Sequence, residues 1–183
     1  LEKRMTAASL APDGSRVAVT ARGEVFNVPV EKGVTFNLTR SSNSNDRSAS
    51  WSPDGKYIAY IGDATGESEI YLQALDGSDP VQLTSGNDTY IRNFQWSCDS
   101  KTIYYADRKN RLVSVDVASK AKKTLVENPA NELSDFDISH NNRWIAYTKA
   151  ADNNYGIVYI YDIASSKEYA VTDRWYDSGR PSF

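Results

Sequence analysis

Apolar positions along this chain come in short bursts closed by polar turns, and nowhere do they recur at helical spacing. Runs such as Tyr57-Ile58-Ala59-Tyr60 and Trp144-Ile145-Ala146-Tyr147 are rich in β-branched and aromatic side chains, the types that pack on a pleated surface. Four segments align without gaps: Ser9–Val19, Ser50–Tyr60, Gln95–Tyr105 and Asp137–Tyr147. Pro181-Ser182-Phe183 enters a fifth copy. With the second residue of each copy as register, Leu10, Trp51, Trp96, Ile138 and Phe183 lie 41, 45, 42 and 45 residues apart.

Each period predicts four strands. The first ends on the Trp51-type position, and a Pro53-Asp54-Gly55 turn leads into the second. Proline presets φ there and glycine supplies the left-handed residue. A third strand is expected at Glu24-Val25-Phe26, Glu69-Ile70-Tyr71, Arg111-Leu112-Val113 and Ile157-Val158-Tyr159. The outermost strand is expected at Asn37-Leu38-Thr39, Gln82-Leu83-Thr84, Thr124-Leu125-Val126 and Ala170-Val171-Thr172. The turn drifts to Cys98-Asp99-Ser100 and then His140-Asn141-Asn142. Asparagine tolerates positive φ, so Asn142 can stand in for Gly55.

A sandwich or barrel does not predict a sequence repeat, whereas blades that pack both faces on their neighbours need the same core residues every roughly 40–45 positions. The fold expected is all-β, a β-propeller of about four four-stranded blades, at 6–45, 46–90, 91–132 and 133–178, with a fifth begun at 179–183. Such a chain reads as part of a six- or seven-bladed ring and as an interior segment of a larger protein. Open sheet faces at the ends of a partial ring would favour association into a homo-oligomer.

Composition narrows the partners. The 183 residues carry a net charge of −3, with Lys and Arg scattered among Asp and Glu. No basic stripe exists to neutralise phosphates, so nucleic acid is not an expected partner. No apolar run approaches the roughly 20 residues that span a bilayer. The start, Leu1-Glu2-Lys3-Arg4-Met5, shows no apolar leader. The cytoplasm is the expected compartment, with the periplasm the alternative if a precursor carries a signal peptide.

Candidate chemistry is sparse. One cysteine, Cys98, and one histidine, His140, both fall in turns. Neither a zinc site nor a Ser-His-Asp triad can be assembled from them. The recurring Asp13, Asp54 and Asp99 read as turn residues bonding the backbone two positions on. Asp63, Glu67 and Glu69 lack calcium-loop spacing and read as a solvated hairpin. Trp175-Tyr176 stands outside the repeat pattern, as a cap over the neighbouring blade. No cofactor or metal is expected. Arg47, Arg92, Asp135 and Arg180 fall at or just before the first strands, which line a propeller's channel, and are the candidate channel-lining residues. Of these, Arg47, Arg92 and Arg180 would attract acidic groups or peptide carboxylates.

The segments Arg22–Gly33, Asn37–Arg40, Arg47–Gly55, Glu69-Ile70-Tyr71, Gln82-Leu83-Thr84 and Val171–Ser178 together resemble a propeller of the tricorn protease family. The resemblance covers essentially the whole chain; Arg22–Phe26 and Trp175–Ser178 carry its specificity. It implies a large serine peptidase that trims oligopeptides, with propellers preceding a PDZ domain and catalytic domains. None of the catalytic motifs is present here, so no catalytic residue carries over. What the resemblance implies is a non-catalytic propeller that gates or conducts peptides or unfolded chains. Its Ser-Pro-Asp-Gly turns are shared with the Tol-system propeller, a protein-interaction module, and with the lid of prolyl-oligopeptidase-type hydrolases.

Overall fold

The computed structural model describes residues 5–41, 43–128 and 133–183. All regular structure there is strand, in four antiparallel four-stranded sheets, each built in chain order. The first holds β1 (Met5–Leu10), β2 (Arg16–Ala21), β3 (Glu24–Pro29) and β4 (Phe36–Asn37), the second β5 (Arg47–Trp51), β6 (Tyr57–Gly62), β7 (Glu69–Ala74) and β8 (Val81–Gln82). The third holds β9 (Ile91–Trp96), β10 (Thr102–Asp107), β11 (Arg111–Asp116) and β12 (Lys122–Glu127). The fourth holds β13 (Leu133–Ile138), β14 (Trp144–Ala150), β15 (Gly156–Asp162) and β16 (Lys167–Ala170). The chain divides into two compact units, one through Ile91 and one from Arg92.

In each unit the core lies between two sheets. Ala18, Val25, Trp51, Ile58, Tyr60 and Tyr71 form one cluster. Leu112, Val126, Phe136, Ile138, Ile145 and Tyr147 belong to the other. The second strands β6 and β10 are buried at every position but the first, where a one-sided sheet would alternate. Stacked cross-strand pairs, Tyr60 on Tyr71 at 5.5 Å and Tyr147 on Tyr159 at 5.8 Å, add about 0.5–1.5 kcal/mol each beyond area burial.

The turn after each first strand repeats as a hydrogen-bonded unit. Ser52 Oγ donates to Asp54 Oδ1 (2.7 Å) and accepts from Tyr57 N (3.0 Å), while Asp54 Oδ1 accepts from Lys56 N (3.2 Å). Ser97 with Asp99 and Ser139 with Asn141 repeat those contacts. The positive-φ position passes from Gly55 (72°) to Ser100 (60°) and Asn142 (55°). The recurring aspartates are therefore turn residues, as expected.

The Ser97 hydroxyl, with the Lys101 N–H behind it, holds the Asp99 carboxyl below its ordinary value. A carboxyl depressed by folding adds stability above its unfolded pKa, and that contribution is lost as pH falls through the folded value. Ser97→Ala should therefore move the Asp99 titration up toward 3.8 and flatten the acid-side loss of stability. A carboxyl-carbon NMR titration reads the shift directly, and an unmoved Asp99 would rule out the hydroxyl as its cause.

Two expectations shift. The outermost strand ends earlier in three blades, at Asn37, Gln82 and Ala170, before the Leu-Thr or Val-Thr pair. There the threonine hydroxyl takes over the ladder: Val25, Ile70 and Val158 N–H groups donate to Thr39, Thr84 and Thr172 Oγ1 at 3.1, 2.8 and 3.0 Å. Asp63 and Glu67 are exposed, but Glu69 is not part of a solvated hairpin. It is 1% exposed, and its carboxylate accepts from Thr84 Oγ1 (2.5 Å), Asn87 N (2.9 Å) and Asn87 Nδ2 (2.8 Å).

Candidate functional site

The first strand of each sheet forms one of its edges. Pairing slips at the start of β1 (Met5/Ala7), β5 (Arg47/Ser50) and β13 (Leu133/Phe136). A bulge there bends the strand and re-aims the side chains at its entry. The four candidate residues lie in this stretch. Arg47 and Arg92 stand four residues before Trp51 and Trp96, and Asp135 and Arg180 stand three before Ile138 and Phe183.

Their surroundings differ. Arg47 Nη2 donates to Ser68 Oγ (2.9 Å) and Ile91 O (3.0 Å), and its guanidinium lies 3.9 Å from the Tyr90 ring centroid. Ser68 Oγ also receives Ile91 N (3.2 Å), so Arg47 helps to fasten the start of β9. Arg92 Nη2 reaches Asn110 Oδ1 at 3.3 Å. Asp135 and Arg180 are exposed and line one cleft of about 310 Å³ with Thr148, Asn154 and Asp177. The structure thus brings two of the four together.

The same cleft occurs in the first unit, where Thr20, Asn45, Arg47 and Ser48 occupy the registers of Thr148, Asp177, Gly179 and Arg180. Ser48 and Arg180 share positive φ, 57° and 52°. The two clefts differ in one bond. Ala49 N donates to Thr20 Oγ1 at 3.1 Å. The residue matching Ala49 is Pro181, which has no N–H. Thr148 Oγ1, buried, is accordingly left without a partner among the described residues. The only trace of this in the sequence is a threonine ten residues after the register position in the first and fourth copies.

The segment leading to Arg180 is fastened rather than loose. Gly156 N donates to Asp177 Oδ1 (2.7 Å), Ser178 N to Gly156 O (2.9 Å) and Asn153 Nδ2 to Arg174 O (3.2 Å). Between these ties Trp175 and Tyr176 are 81% and 75% exposed. They cap none of the four described sheets, and the backbone on either side of them is fastened. Phe183 N donates to Asp137 Oδ2 (2.9 Å), as Trp51 N donates to Ser9 Oγ (3.1 Å) one period apart.

His140 and Cys98 are exposed turn residues, and Cys98 N donates to Asn142 Oδ1 in the next turn (2.8 Å). Among the described residues no three His, Cys, Asp or Glu side chains gather as metal ligands. No helix there is long and apolar enough to cross a membrane. Among the described residues these edges present charge and hydrogen-bonding groups, and no nucleophile–base pair.

The family model of the tricorn protease second beta propeller domain matches residues 5–183. The solved structure of tricorn protease superposes with a TM-score of 0.80 at 18% identity, covering 93% of this chain and 17% of that one. A protein described as TolB from Agrobacterium tumefaciens gives a TM-score of 0.75 at 20% identity, covering 92% of this chain and 62% of that one. A puromycin hydrolase gives 0.75 at 18% identity, covering 93% and 29%. The chain thus spans less than two thirds of each, and at these identities the likeness establishes the fold, a β-propeller.

Proposed function

The chain belongs to the family of the tricorn protease second beta propeller domain, and from that premise we propose that it is a non-catalytic propeller segment of a serine peptidase acting on oligopeptides. Its role is to gate or conduct peptide chains to chemistry located elsewhere. The observation that carries the reading is the pairing of exposed Asp135 and Arg180 in one cleft at a first-strand edge. Opposite charges so placed can meet the carboxylate, ammonium and backbone dipoles of a peptide without holding it tightly. Arg47 and Arg92 extend the same edge chemistry. The bond from Phe183 N to Asp137 supports taking 179–183 as the opening of a further repeat. The proposed compartment is the cytoplasm, where an exposed thiol such as Cys98 stays reduced.

A second reading, a protein-interaction propeller, is favoured by the outward-facing Trp175 and Tyr176, since aromatic residues dominate binding hot spots.

Two measurements decide between them. The 183-residue chain alone should hydrolyse no peptide, and turnover that survives repurification would overturn the non-catalytic assignment. In the full-length parent, reversing the pair (Asp135→Arg with Arg180→Asp) should change kcat/KM for acidic against basic peptides several-fold. The change should fade as salt rises from about 0.05 to 0.5 M. Unchanged discrimination, with intact folding, would favour the interaction reading.

A further inference from the structure

A second cleft on the first unit lies away from the first strands, between the outer parts of its two blades. Its walls come from β2, β3 and β4 with the residues that follow, and from the end of β7 with the turn into β8. It encloses about 630 Å³, within the range of sites that hold small ligands or a few peptide residues. β4 and β8 are only two residues long, and the space opens beside them.

One wall is cationic. Arg16 Nε donates to Asn27 Oδ1 (2.6 Å), and its Nη2 donates to Asn27 O and Val34 O (both 2.9 Å). Three bonds fix this fork, and Phe36 covers it at 5.4 Å. Nη1 of Arg16 makes no bond to protein among the described residues. Arg40 uses Nε on Asn37 O (3.3 Å), and its Nη groups make no bond among the described residues. These groups need acceptors, and a planar carboxylate matches the fork geometry.

The opposite wall needs a donor. Gln73 is 4% exposed; its Nε2 donates to Ala74 O (2.9 Å) and Ser78 O (2.7 Å), and its Oε1 is buried without a partner among the described residues. A buried acceptor left unmade costs about 1–3 kcal/mol. Beside it stand the carboxylates of Asp76 and Asp79. Between the walls two large apolar side chains stay half-exposed, Phe36 at 49% and Leu75 at 45%. Neither ring nor leucine is needed by the core, whose members lie elsewhere.

The geometry points to a docking site for the C-terminal residue of a partner peptide with an apolar side chain. The terminal carboxylate meets Arg16 Nη1 and Arg40, its amide N–H meets Gln73 Oε1, and its side chain lies between Phe36 and Leu75. The anionic Asp76 and Asp79 exclude a carboxylate from the far wall and so set the direction of the peptide. The site shares no residue with the Asp135–Arg180 cleft and does not rest on the channel reading.

The test uses the 183-residue chain, with N-acetyl-Ala-Leu as the free acid and as its C-terminal amide, followed by backbone amide NMR. The acid should bind with a dissociation constant of about 1 mM and the amide at least about tenfold more weakly. Shifts should fall on Asn37, Arg40, Leu75 and Gly77. Arg40→Gln should reduce the acid to the affinity of the amide. Should that variant fail to fold, the comparison of acid with amide on the unaltered chain decides alone. Equal binding of acid and amide, shifts centred on Arg47, Asp135 or Arg180, or no shift by about 10 mM peptide would overturn the assignment.

Discussion

Replacing Glu69 with alanine should lower the stability of the chain by about 3–4 kcal/mol, a loss out of proportion to one polar side chain. Its carboxylate is wrapped by the Thr84 hydroxyl, the Asn87 N–H and the Asn87 amide. Thr84 in turn accepts Ile70 N–H at 2.8 Å, so the carboxylate also orients the hydroxyl that closes the β7 ladder. Truncation takes the acceptor from the Thr84 hydroxyl and the Asn87 N–H and leaves a void, while Asn87 Nδ2 keeps Ser68 O. Each donor so deprived costs about 1–3 kcal/mol before relaxation. Thermal unfolding should shift down by roughly 10 °C. Glu69→Gln keeps one acceptor oxygen and should lose about half as much. Glu67, exposed and two residues earlier, is the control, and its alanine variant should stay within about 0.5 kcal/mol. Equal effects at Glu67 and Glu69 would show that the buried network contributes nothing.

The second large effect is a difference in sign between two matched residues. Thr20→Val removes the acceptor of the Ala49 N–H and leaves that buried donor unpaired, which should cost about 1–3 kcal/mol. Thr148→Val removes a hydroxyl that already lacks a partner because Pro181 stands where Ala49 does. That substitution should be neutral or stabilising by up to about 1 kcal/mol. Urea unfolding at unchanged m-value compares the two directly. Similar losses at both positions would mean that Thr148 Oγ1 has a partner after all.

These predictions also mark what could be read from the sequence. The blades were legible because each sheet packs on a neighbour through the same positions, which brings Trp51, Ile138 and the Tyr-Ile-Ala-Tyr and Trp-Ile-Ala-Tyr runs back to the same register. The Ser-x-Asp turn was legible because its partners lie within five residues of one another. Glu69 reads in sequence as part of a wet loop because its neighbours Asp63 and Glu67 are acidic, while its partners come from fifteen and eighteen residues away. Trp175-Tyr176 reads in sequence as a cap, and only the ties at Arg174, Asp177 and Ser178 and the exposure of both rings show otherwise for the described sheets. The Thr20–Thr148 contrast was invisible for a related reason. A hydroxyl's partner is chosen by the strand of the next blade, and no local pattern encodes that choice. The cleft lined by Arg16, Arg40 and Gln73 likewise joins residues from two blades.

The two-residue outer strands β4 and β8 have a further meaning for the life of the chain in solution. An exposed strand edge is a template on which another chain can add, and long flat edges seed aggregation. Here Thr39 and Thr84 consume the N–H groups that a continued outer strand would have paired with. A foreign strand arriving at the perimeter of either blade finds a ladder two residues long. Where the perimeter does run to six residues, in β12, it carries exposed Lys122, Lys123 and Glu127, and charge does there what brevity does elsewhere. The outer edges of these blades are thereby kept from capturing extended segments of other chains.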